Sequence, residues 1–170
     1  MSDTTISKDA IVIERTFDAS VDLIWQMWTQ PEHLKQWYGP KGFSVSIVEM
    51  DVRVGGKHLF CMERQMPDGS MKFWTVGEYT EVVPNKRLAY TDSMADEHGN
   101  VASPSAYGGN DDEYPLTTLV TVLLEDLHGR TKMVMTHAGV PADEGGASVG
   151  WEQAFVKMAD HLETILGGKS

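Results

Sequence analysis

The chain has 170 residues, of which 41% are apolar and 23% charged, and its formal net charge is -11. That length suits one ordinary domain with a real core, and the apolar share excludes a disordered chain. The acidity excludes the partners that anionic surfaces supply. Residues 1–87 carry -2 and residues 88–170 carry -9, so nucleic acid backbones and anionic membrane surfaces would be repelled.

The single cysteine, Cys61, rules out an internal disulfide, and its apolar surroundings suit a small buried hydrophobe. There is no 18-residue apolar run and no signal-peptide core. A soluble, cytoplasmic protein is the expectation.

Residues 1–9 read as a polar N-terminal tail, and a single domain is expected over residues 10–167. The stretch from Ala10 to Asp18, with Ile11, Val12 and Ile13, reads as a strand. Ser20 is a good N-cap and Asp22 places negative charge in a first helical turn. Leu23, Ile24, Met27 and Trp28 then form one helical stripe. Pro31 opens a second short helix carrying Leu34 and Trp37, which Gly39-Pro40 ends. Residues 43–52, 57–66, 72–83 and 86–94 read as strands punctuated by Gly55-Gly56, Pro67-Asp68-Gly69 and Pro84-Asn85. Residues 115–126 and 130–137 make a further hairpin across His128-Gly129. A last helix over residues 149–166 lays Trp151, Phe155, Met158, Leu162 and Ile165 on one face, with Ser148 as its cap.

Strand spacing this tight implies an antiparallel meander, and a curved sheet cannot bury its apolar face alone. The C-terminal helix is the one element large enough to cover it. The fold class is therefore α+β, a curved antiparallel sheet wrapped around a long C-terminal helix with two short helices after the first strand. The irregular segment, residues 95–114, carries five acids and no Lys or Arg. A loop of that length is functional or disordered. As a lid it would bring Tyr107 over the sheet.

Strand alternation groups His58 with Phe60 and Met62, Met133 with Met135 and His137, and Trp74 with Val76 and Glu78. Methionines and aromatics with a few polar groups suit either a filled core or an adaptable apolar pocket. His58 and His137, if inward, would orient a ligand hydroxyl or carbonyl, or act as an acid–base pair. Glu78 beside either would shift both. The six histidines show no metal-ligand spacing, and neither a phosphate-binding loop nor a dinucleotide fingerprint occurs. No metal or cofactor is expected, and no residue is assigned a catalytic role. Gly146–Gly150 matches G-x-S-x-G, yet P-A-D-E-G-G precedes it where a nucleophile elbow needs a strand. Asp51 and Arg53 before Gly55-Gly56 read as a structural turn pair.

Several stretches carry a family resemblance. These are R-T-F-D-A-S-V-D-L-I-W-Q-M-W-T from Arg15, P-E-H-L-K-Q-W-Y-G-P-K-G-F from Pro31 and D-V-R-V-G-G from Asp51. Further along come G-E-Y-T-E-V-V-P-N-K-R-L-A-Y-T from Gly77, V-T-V-L-L-E-D from Val120, T-K-M-V-M-T-H-A-G-V-P from Thr131 and G-W-E-Q-A-F from Gly150. Together they resemble the activator of heat-shock-protein-90 ATPase homologue group of the START-like (SRPBCC) superfamily. The resemblance implies the helix-grip fold and a cavity between sheet and C-terminal helix. The expected ligand is a small apolar or aromatic molecule, held by His58, Phe60, Met62, Trp74, Glu78, Tyr107, Met133, Met135, His137, Trp151 and Phe155. Two alternatives stay open. One is an enzyme on the same scaffold, a cyclase or hydrolase of aromatic substrates. The other is a co-chaperone-like interaction module with a chaperone partner. Exposed sheet edges are also compatible with a homodimer.

Overall fold

The computed structural model describes residues 10–102, 117–139 and 147–167. In chain order these form β1 (Ala10–Phe17), α1 (Val21–Thr29), α2 (Pro31–Leu34), β2 (Phe43–Met50), β3 (Lys57–Met66) and β4 (Gly69–Val83). There follow β5 (Arg87–Ala95), β6 (Thr118–Asp126), β7 (Thr131–Ala138) and α3 (Ala147–Gly167). The strands make one seven-stranded antiparallel sheet in the order β1-β7-β6-β5-β4-β3-β2. β1 and β2 are thus its two edges, and the short helices α1 and α2 carry the chain from one edge to the other. This is the helix-grip architecture that the order of elements implies.

Local chemistry sets most of the boundaries. Ser20 Oγ accepts from the Leu23 backbone N–H at 3.2 Å and caps α1. Pro31 stands in the first turn of α2, where a missing N–H costs nothing. β6 and β7 are joined through His128 and Gly129, both left-handed at φ 63° and 99°, as a tight hairpin twisted like its strands requires. β3 and β4 meet across Pro67-Asp68 alone, so β4 begins at Gly69, three residues before the expected Lys72. α3 begins at Ala147, and Ser148 therefore lies inside its first turn instead of capping it.

Directly paired residues of an antiparallel sheet project to the same side. Phe60 pairs with Thr75, Tyr79 with Tyr90, Tyr90 with Val120, Val120 with His137 and His137 with Ile11. These side chains form a continuous inner face. Ala154, Phe155, Met158 and Leu162 of α3 are buried in one core cluster with Ile11, Phe60, Tyr79, Tyr90 and Val120 of this face and with Ile24, Met27, Trp28, Leu34 and Trp37. Cys61 lies on the opposite, outer face and is fully buried.

The first part of the segment expected to be irregular has regular structure. Ala95 and Val101 form an antiparallel bridge, and Asp96 closes the turn between them. Its carboxylate accepts from the backbone N–H groups of His98 and Asn100 at 2.9 and 3.0 Å, which with the Asn100 contact first holds its pKa below the usual value. A side chain built on Gly99 would touch Leu59 and Val76, so this turn lies on the outer face, away from α3. Tyr107 and the remainder of the proposed lid lie outside the described residues.

Candidate functional site

The site begins at the joint between α2 and β2. Trp37 is fully buried, and its indole N–H donates to the Met27 carbonyl at 3.0 Å, which fixes the chain at the end of α2. Tyr38 follows, and its ring packs edge-on against Phe60 and Trp151. α3 holds this joint from above. Lys157 Nζ donates towards the carbonyls of Phe43, Pro40 and Tyr38 at 3.2, 3.3 and 3.5 Å. Gln153 Oε1 accepts from the Lys41 backbone N–H at 3.0 Å. Burial lowers the Lys157 pKa. Gly150 lets the helix lean onto Pro40, whose Cγ would lie 3.3 Å from a Cβ at that position.

Beneath this clamp, between α3 and the inner face of the sheet, is a cavity of about 280 Å³. That is near the lower end of the range for small-molecule pockets, about 300–1,000 Å³. Its apolar walls are Tyr38, Pro40, Met62, Trp151 and Ala154, with Gly39 and Gly150 at the joint; its polar lining is Thr75, Asp92 and His137.

His137 is committed to a chain of hydrogen bonds. The Trp151 indole N–H donates to Nδ1 at 3.0 Å, because an indole can only donate. The neutral ring therefore carries its proton on Nε2, which donates to Thr118 Oγ1 at 2.8 Å. The Thr118 hydroxyl in turn donates to the Asp92 backbone carbonyl at 3.0 Å. Burial lowers the His137 pKa, with the Asp92 charge opposing in part. Protonation of Nδ1 would also set two N–H groups against each other.

Asp92 and Thr75 are different. The side-chain atoms Asp92 Oδ1 and Thr75 Oγ1 are buried without a hydrogen-bond partner, as are both ring nitrogens of His58 and the indole nitrogen of Trp28. His58 stacks on Phe60 at 4.5 Å and points Nε2 at Asp92 Oδ1 from 3.5 Å. Gly77, paired with His58, makes this placement feasible. A Cβ there would stand 2.5 Å from His58 Cε1 and 1.8 Å from the Thr91 carbonyl oxygen. Tyr38 and Tyr90 share a hydroxyl–hydroxyl hydrogen bond of 2.9 Å. Burial raises both phenol pKa values well above the usual value, and the nearby Asp92 charge raises them further.

The residues singled out from the sequence therefore separate into groups. Met62, His137 and Trp151 line the cavity. His58 and Phe60 are buried on the same inner face, one layer behind it. Met133, Met135 and Phe155 are fully buried and fill the core. Trp74 and Glu78 do not face inward. Pairing of Phe60 with Thr75 puts Phe73, Thr75 and Gly77 on the inner side and Trp74, Val76 and Glu78 on the outer side. Trp74 lies beside Cys61, and Glu78 is exposed and faces Lys57 at 3.6 Å. The expected pairing of Glu78 with an inward histidine is thus corrected. The acid next to a histidine is Asp92, which, with Thr75 and Tyr38, alternation alone did not single out. Its signal was present in β5, where Leu88 and Tyr90 set the parity that turns Asp92 inward. Among the described residues, no cluster of three or more His, Cys, Asp or Glu is arranged to hold a metal, and no helix is long and apolar enough to cross a membrane.

Comparison with known proteins agrees with this architecture. The family model described as Activator of Hsp90 ATPase homolog 1-like protein matches residues 18–163. A crystal structure of a Nitrosomonas europaea protein superposes with a TM-score of 0.74 at 23% identity, covering 95% of this chain and 98% of that one. A solution structure of an Arthrobacter aurescens protein superposes at 0.72 with 28% identity, covering 90% and 85%. A Silicibacter pomeroyi protein of the same family name superposes at 0.66 with 19% identity, covering 90% and 96%. No curated protein matches the chain. With the matched region spanning β2 to β7 and most of α3, the chain belongs to the Activator of Hsp90 ATPase homolog 1-like protein family, within the START-like superfamily.

Proposed function

We propose that this protein binds a small, largely apolar molecule in the cavity between the sheet and the N-terminal half of α3. START-like domains of this family commonly bind hydrophobic ligands. The observation that carries the reading is the cavity itself. It is about 280 Å³, walled by Tyr38, Met62 and Trp151, and its lining includes two residues with buried polar atoms that make no hydrogen bond. Leaving a buried donor or acceptor unsatisfied costs about 1–3 kcal/mol, which a bound group would offset. Burial of the ligand body against aromatic and thioether side chains supplies the affinity, and Thr75 and Asp92 set its orientation. An acid–base role for the two histidines is poorly supported, because His137 has no ring nitrogen free.

Native mass spectrometry of freshly purified protein, followed by denaturation of the same sample, tests this directly. A released small molecule identifies the ligand class. Thermal unfolding against a panel of small apolar compounds gives the equilibrium measure. A ligand at 100 times its Kd should add about 2.7 kcal/mol, and Ala154→Phe, which projects a ring into the cavity, should abolish the gain. Absence of any copurified molecule, together with no stabilisation by any compound, would leave the cavity reading without support.

A further inference from the structure

The polar lining of the cavity restricts the ligand further. We propose that the occupant carries a protonated amine, held by the Asp92 carboxylate and the Thr75 hydroxyl, with its apolar body against Tyr38, Met62 and Trp151. This rests on the cavity being a binding site and adds the chemical class of its ligand.

Four observations converge on a cation. First, Asp92 is the one lining side chain that bears a charge among the described residues; no Lys or Arg lines the cavity. The His137 ring is neutral by its tautomer, since the Trp151 indole donates to Nδ1. Second, Asp92 Oδ1 is buried and makes no hydrogen bond. The nearest cationic candidate, His58 Nε2, lies 3.5 Å away, beyond the roughly 2.7–2.9 Å of a charge-assisted hydrogen bond. Third, Thr75 Oγ1 is also buried without a partner, and Thr75 is 9% exposed. A carboxylate accepts only, so the incoming group must donate to Asp92, and the Thr75 hydroxyl, which can accept or donate, can take a second hydrogen bond from it. A primary or secondary ammonium does so and also compensates the charge. Fourth, the walls include Tyr38 and Trp151, and aromatic ring faces attract a cation.

The same features exclude the opposite class. A fatty acid or aromatic carboxylate would bring a second negative charge beside Asp92 in a poorly solvated space, where repulsion is far less screened than in water. A neutral alcohol can donate to Asp92 and accept from Thr75 but leaves the carboxylate charge uncompensated. The formal charge of -11 over the whole chain favours a cation at the encounter step as well.

The test uses three probes with the same phenylethyl-type body and different heads: 2-phenylethylamine, 2-phenylethanol and phenylacetate. Binding is measured by titration calorimetry at neutral pH on the wild-type protein and on Asp92→Asn, which keeps the side-chain shape and removes the charge. The expected result is that the amine binds at least tenfold more tightly than the alcohol and that the acid does not bind. Asp92→Asn should bring the amine down to the level of the alcohol and leave the alcohol nearly unchanged. Circular dichroism establishes that the variant is folded, and Thr75→Val provides a second, milder loss for the amine. If amine and alcohol bind alike and Asp92→Asn alters neither, the amine assignment is overturned while the cavity remains a binding site. Binding of the acid in preference to the amine would overturn it in the same way. If no probe binds and Ala154→Phe is indistinguishable from wild type against the wider apolar panel, both the assignment and the binding reading fail.

Discussion

His58 sits among aromatic rings with neither ring nitrogen bonded, and the residue that makes room for it is Gly77. A methyl group at Gly77 would collide with the His58 ring and with the Thr91 carbonyl oxygen. Gly77→Ala is therefore expected to destabilise the protein by roughly 3 kcal/mol in urea unfolding, the upper part of the usual range for overpacking. Truncating His58 as well should not restore stability, because the Thr91 contact is with backbone. Full rescue by His58→Ala would show that the backbone can yield and that the ring alone sets the limit. His137 makes a second prediction at this scale. Burial keeps its native pKa below the reference value of 6.5, so the unfolded chain binds the proton first as the pH falls. The neutral ring's contribution to stability is complete above about pH 6.5 and is lost as the pH drops from there towards the native value. NMR titration should report a His137 pKa below 6.5. Trp151→Phe, which removes the donor facing Nδ1, should move it upward; an unchanged value would mean that burial alone sets the shift.

At the scale of elements, α3 does two jobs with two faces. Phe155, Met158 and Leu162 are buried against the sheet and the short helices, while Lys157 and Gln153 grip the Tyr38–Phe43 joint. The grip places Trp151 and Ala154 over the cavity without filling it. Lys157→Met keeps the length of the side chain and removes its charged donor. It should cost about 1.5–2 kcal/mol, the lower part of the range for a hydrogen bond to a charged group because the lysine is half-buried. It should also weaken binding of any cavity ligand by loosening the joint. Stability equal to wild type in urea would mean that solvent serves those three carbonyls equally well. His33 and His161 add a smaller contact between α2 and α3, with a ring-nitrogen separation of 3.1 Å. Burial, and then the charge of His33, lowers the His161 pKa, so this contact too is lost on acidification.

At the scale of the whole molecule, the inner face of the sheet has no other cover of comparable size among the described residues. β1 to β7 contribute Ile11, Ile13, Val45, Phe60, Tyr79, Tyr90, Val120, Met133 and Met135 to a core that α3 completes. A chain ending before Ala147 would expose that face, and a single open sheet of this kind is not stable by itself in water. Such a truncation should show no cooperative thermal transition by circular dichroism. A sharp transition near that of the full chain would mean that α3 closes the cavity but does not hold the sheet.

Element types and their order follow from local rules that a sequence displays openly. Period-two alternation, a helical stripe from Trp151 to Ile165, the Ser20 cap and the His128-Gly129 turn each depend on residues close in the chain. The helix-grip architecture follows in turn from needing one large helix to bury one curved sheet. Site membership does not share that locality. Alternation in β4 has two phases, and both Trp74 with Val76 and Thr75 with Tyr79 look fit to face a core. Only the pairing of Phe60 with Thr75 selects the second set and sends Glu78 to solvent. Likewise, His137 reads as an available acid or base until Trp151, on a different element, occupies its Nδ1. Asp92 becomes the charged residue of the cavity because β5 lies at the centre of the sheet, beneath a joint that Lys157 holds from 114 residues away in sequence at Phe43. Local pattern decided the elements because their energetics are local; register and long-range packing decided the site because a cavity exists only where distant surfaces fail to meet.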